Sequence, residues 1–220
     1  MRIFRPSDER LIKKLVNHVY FKVQANGVVR VEDMLYMMAT IVAVQCIEVA
    51  KELSIDKHNF ELGNAVFPKK INETLIGPDT VENWNELPKE CVFGRIKNKI
   101  DKHFNETAFP SLTGIFKNYT KNVDESEWEK VTLNIPEDSI PSLLTLRAGY
   151  ETKKFVDRRI NLENNQKTLT IAIDSLSRVL IETRIALNPS IALMMTFETI
   201  FGMSKTATMA NQKMLKGNLK

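Results

Sequence analysis

Residues 34–47 read MLYMMATIVAVQCI, fourteen positions without a charge, a glycine or a proline. Such a run must be buried, and the kind of element that buries it decides the fold. It is longer than the roughly 4–8 residues of a core strand. It is also shorter than the roughly 20 apolar residues that cross a bilayer, and Asp33 and Glu48 close it on both sides. The reading is a helix at the centre of a folded body, with no membrane span. Glu32 and Asp33 stand at its start, where carboxylates complement the positive end of the helix dipole.

Upstream, Leu11, Ile12, Leu15, Val16, Val19 and Val23 recur at three- and four-residue spacing and line one face of a helix that opens at Ser7. Asn26-Gly27 stops it, because both residues tolerate the left-handed backbone of a helix end. The first two helices should therefore form an antiparallel hairpin. Downstream, Leu169, Ala172, Ile173, Leu176, Leu180 and Leu187 share another helix face. Asp174, Arg178 and Glu182 form an alternating polar stripe on the same helix. Asn188-Pro189 ends that helix and begins another, with Asn as cap and Pro in the first turn. The central helices are expected at 32–53, 166–187 and 189–203.

The middle is less regular. Pro68, Gly77-Pro78 and Pro88 divide it, with a short helix between Lys69 and Leu75. Pro88 then opens a helix whose stripe is Val92, Phe93, Ile96, Ile100 and Phe104. The run VTLNI from Val131 leaves a small hairpin or a loop open. Only 8 Gly and 8 Pro occur in 220 residues, too few for the many turns of a sandwich or barrel. The expectation is a mainly α, compact single domain, 1–220, of about seven to nine helices. Short arms, 1–6 and 204–220, flank it.

Chemistry is sparse. His18, His58 and His103 are scattered and show no metal-ligand spacing. Cys91 and His103, twelve residues apart on one expected helix, are separated by about 120° around its axis and do not face each other. No phosphate-cradling glycine loop and no nucleophile elbow is present. The acidic cluster Asp124, Glu125, Glu127 and Glu129 lacks the glycine and ligand spacing of a calcium loop. Two cysteines, Cys46 and Cys91, make no disulfide framework and suit a reducing, cytoplasmic setting. The expectation is a protein without catalysis, cofactor or metal.

Charge carries the remaining signal. The formal net charge is +4, unevenly spread. Residues 146–159, LRAGYETKKFVDRR, gather Arg147, Lys153, Lys154, Arg158 and Arg159 around Tyr150 and Phe155. On a helix, Glu151 would pair with Arg147 and Asp157 with Lys153, leaving Lys154, Arg158 and Arg159 uncompensated. Arg95, Lys99 and Lys102 form a second cluster, flanking the stripe of their helix. After Glu198 there is no acid at all, while Lys205, Lys213, Lys216 and Lys220 follow.

Converging in space, these segments would make a backbone-directed groove with aromatic stacking platforms. The function expected is a self-associating, RNA-coating, nucleoprotein-like protein that binds single-stranded RNA and itself. Its nucleic-acid-binding residues would be Arg95, Lys99, Lys102, Arg147, Tyr150, Lys154, Arg158 and Arg159. The alternative is an adaptor or chaperone that grips a partner protein through the Met-rich C-terminal surface of Met209, Met214 and Leu215.

Overall fold

The structure is a computed structural model and describes residues 7–52, 69–78, 81–104, 106–121, 132–142, 155–156, 158 and 164–215. Among these are seven α-helices: α1 (Asp8–Val23), α2 (Val31–Glu52), α3 (Lys69–Ile76), α4 (Val92–Ile100), α5 (Leu112–Lys121), α6 (Asn165–Thr183) and α7 (Pro189–Leu215). No strand occurs among the described residues, and the mainly helical expectation holds.

Helix α2 is the axis of the molecule. Leu35, Met38, Ala39, Val42, Ala43, Cys46 and Ala50 are fully enclosed, and α7 and α6 pack along it. A helix that is apolar all round has no solvent face to offer, so other helices must surround it. By length and composition Val31–Ala50 could cross a membrane, but 94 % of that stretch is packed inside the body. Around this centre α1 lies on α6 and α2, α3 on α2 and α4, α4 on α6, and α5 on α7.

The local stop and start signals act as expected. The Ser7 hydroxyl accepts the backbone N–H of Arg10 and caps α1. Asn26 and Gly27 take φ of 51° and 80°, and Ala25 and Val28 exchange both backbone hydrogen bonds across them. The Asn188 side chain caps α7 by accepting from Ser190 N–H at 2.9 Å.

Three helix boundaries differ from the sequence reading. Helix α4 begins at Val92 rather than at Pro88, because the Cys91 sulfur caps it by accepting Gly94 N–H at 3.3 Å. Helix α6 ends at Thr183, whose carbonyl takes the N–H groups of both Ala186 and Leu187 and closes the chain into turns. Helix α7 runs on past residue 203 to Leu215, with Ser204 and Lys205 buried in the body. At 132–135, where a hairpin or a loop was open, the described residues form loop.

The irregular segment 132–142, which includes a 3-10 turn at Glu137–Ser139, is a strap held by two buried carboxylates. Glu198 on α7 accepts Asn134 N–H at 2.6 Å and the Asn118 amide at 3.0 Å. Asp33, in the first turn of α2, accepts Ser142 N–H at 2.5 Å. Arg30 donates to the Ser142 hydroxyl and the Asp138 carbonyl. Each carboxylate satisfies backbone donors that no neighbouring strand supplies, which is how an irregular segment can lie against an apolar body. Trp84 anchors the other irregular stretch. Its ring packs on Phe93, Phe109 and Phe197, and its indole N–H donates to the Pro110 carbonyl at 2.6 Å.

Candidate nucleic-acid interface

Two basic residues of α4, Arg95 and Lys99, face α6. Arg95 donates from Nη2 to the Thr170 hydroxyl at 2.8 Å, and Lys99 Nζ lies 2.8 Å from Asp174. One turn separates the partners on each helix, so the two contacts form successive rungs between α4 and α6. Lys97 pairs with Asp101, the residue just past the end of α4. Lys102 is exposed. Two of the three cations expected to meet phosphate, both on α4, are therefore already committed to neighbours on α6.

Of the second cluster, Arg158 is described and exposed, while Arg147, Tyr150, Lys154 and Arg159 lie outside the described residues. The segment is seated by its apolar members. Val156 is buried, and the Phe155 ring stacks on His18 of α1 with centroids 3.5 Å apart and planes 2° from parallel. Partial burial, and secondarily the Lys22 ammonium, hold the His18 imidazolium below its usual range. A neutral imidazole on Phe155 is thus the resting state near neutral pH. Met209, Met214 and Leu215 stand on the last turns of α7, where side chains are outside the described residues.

What the stripe-based reading of α1 missed is its other face. With about 100° per residue, Arg10, Lys13, Lys14, Asn17, Tyr20 and Phe21 fall within one outward arc, opposite Leu11, Leu15 and Val19. Every one of the six is exposed, and none of the acids of α1 falls in that arc. The acids of the first turn point elsewhere: Asp8 pairs with Lys167 and Glu9 with Arg178, both on α6. Phe21 is 70 % and Tyr20 41 % exposed, and their rings meet edge to face at 5.5 Å. Two large rings facing water on a helix that has its own apolar stripe were legible as an anomaly from spacing alone.

No family model, curated protein or solved structure matches the chain.

The function of the arc must therefore be argued from its chemistry. Cations at one end and paired rings at the other, over about 16 Å of helix, present point charges and flat apolar surfaces side by side. Single-stranded nucleic acid asks for that combination, since phosphates seek lysine and arginine while unpaired bases stack on aromatic faces. The strongly perturbed groups are in the interior instead. Burial lowers the Lys205 ammonium to about 7, where its Nζ donates to the Asn72 side-chain oxygen and sits 5.2 Å from the Phe201 ring centre. Burial also raises the Glu198 carboxyl against the opposing pull of its two N–H donors.

Proposed function

We propose that this chain is a non-catalytic, self-associating protein that coats single-stranded nucleic acid. The observation that carries this reading is the outward arc of α1, which sets the exposed Arg10, Lys13 and Lys14 on the same side as the exposed Tyr20–Phe21 pair. The Phe155–His18 stack adds the exposed Arg158 segment to the same helix. Lys102, in the turn just after α4, is a further exposed cation. Arg95 and Lys99 serve the α4–α6 contact and orient that surface rather than meeting the strand first.

In this mechanism bases stack on Phe21 and Tyr20, and the backbone follows the helix past the three cations. Base–aromatic stacking contributes about 1–3 kcal/mol per base and tolerates any sequence. The test is fluorescence anisotropy of labelled single-stranded RNA across a salt series. Three phosphate contacts should give a slope of log K against log salt near −2, at about 0.7 per contact. Neutralising Arg10, Lys13 and Lys14 together should flatten it. Absence of binding at low salt, or full affinity in the Tyr20→Ala/Phe21→Ala double variant, refutes the reading.

A further inference from the structure

We propose that the cavity between α2, α3, α4 and α6 is a socket for the C-terminal end of α7 from a second copy of this chain. The proposal rests on the self-association reading and supplies its contact. The cavity is an open concavity of about 380 Å³, within the size range of ligand-binding clefts. Val49, Thr74, Val92 and Leu169 contribute to it from the four helices, and the two valines and the leucine are buried. Close packing fixes its shape. At Gly77, with φ of 98°, an added Cβ would fall 2.6 Å from Pro88 Cγ, and one at Gly94 would fall 2.1 Å from the Pro88 carbonyl oxygen. Pro88 can wedge between α3 and α4 only because both positions lack a side chain.

The wall that follows α3 is acidic. Residues 81–90 carry Glu82, Glu86 and Glu90, all exposed, against the single cation Lys89. Glu90 borders the cavity itself, and Glu82 and Glu86 border a separate open concavity beside Trp84. Glu73, on the opposite wall, is engaged by Lys69 and Lys70. A fitting occupant is apolar at its tip and basic around it.

This chain carries such a segment. Residues 213–220 read KMLKGNLK, with Met214 and Leu215 between Lys213 and Lys216 and no acid anywhere after Glu198. The α7 helix is continuous to Leu215. Ten residues beyond Lys205, Leu215 lies about 15 Å along the axis from the Lys205–Asn72 contact with α3. The cavity residues Glu73 and Thr74 directly follow Asn72, so a helical end at that distance meets the cavity of a neighbour and not its own. An end-into-socket contact uses two different surfaces, and its repetition builds rings or filaments. That is the assembly a strand-coating protein requires.

The test uses the full chain. Sedimentation velocity over a concentration series should show association. Glu90→Lys alone, or Lys213→Glu with Lys216→Glu alone, should weaken it by about tenfold or more, since like charges then face each other across the contact. Combining the two sets should restore it. In a second measurement, Leu215→Cys combined with Glu90→Cys, which places a thiol at the exposed rim of the cavity, should cross-link between chains on oxidation with diamide, giving species larger than dimers that neither single variant gives. A wild-type chain that stays monomeric overturns the proposal. So does association indifferent to the charge swaps, or a cross-linked product of monomer size. RNA affinity of the Lys213→Glu/Lys216→Glu chain, read by anisotropy, reports on the α1 arc separately. Loss of assembly with RNA binding retained sinks neither reading, whereas RNA binding lost only in Phe21→Ala supports the arc.

Discussion

Replacing Lys205 with Met should make the protein more stable at neutral pH and remove a defined pH dependence. Lys205 is 5 % exposed, and burial lowers its ammonium from the usual 10.5 to about 7. Between those values the unfolded chain holds a proton that the folded chain has released. Stability therefore rises with pH through that window, by about 1.4 kcal/mol per pH unit, and below about pH 7 the full cost of the buried amine is present. Cys46 and Cys91, pushed above their usual range by burial, act in the opposite sense once pH exceeds 9.0. The clean interval is thus pH 7 to 9, over which Lys205 should contribute about 3 kcal/mol. Methionine matches the unbranched chain and keeps the packing against Phe201, at the loss of one hydrogen bond to Asn72. Urea unfolding of both proteins at half-unit pH steps checks this. The wild-type curve should climb relative to Lys205→Met, and the variant should be the more stable at pH 7. Parallel curves would show that the Lys205 amine is solvated in the folded state, and the argument from burial would fail.

Three further outcomes follow from named contacts. Gly94→Ala should lower stability by about 1–3 kcal/mol, the usual cost of overpacking, because its Cβ meets the Pro88 backbone rather than a movable side chain; a thermal melt at unchanged Tm would contradict it. Glu198→Gln replaces one of two accepting oxygens with a donor and should cost about 1–3 kcal/mol, with faster amide exchange at Asn134 as its local signature. Phe21→Ala should leave the melting curve in place, since the ring is 70 % exposed, while weakening RNA binding about fivefold or more.

How far each feature could be read from sequence depends on how far apart its determinants lie. The Asn26-Gly27 turn, the Ser7 cap and the Asn188 cap each use partners within three residues, and all were visible beforehand. The enclosure of α2 followed from its composition on every face. The basic cluster on α4 read as an open groove because the groups that engage it, Thr170 and Asp174, lie 75 residues away in sequence. The outward arc of α1 was present in the spacing, but reading the apolar stripe alone passes over exposed aromatics on the other side.

The sequence by itself determined that the chain is helical, where most helices begin, and which one forms the axis, because propensity, capping and periodicity act over a few residues. Tertiary structure alone decided that 132–142 is a strap, since its N–H groups are satisfied by Glu198 and Asp33 from distant helices. It also decided that Lys205 lies inside the body, where α3 provides Asn72 and α7 its own Phe201 ring to receive the amine. Such pairings join groups far apart in the chain, and no local pattern encodes them.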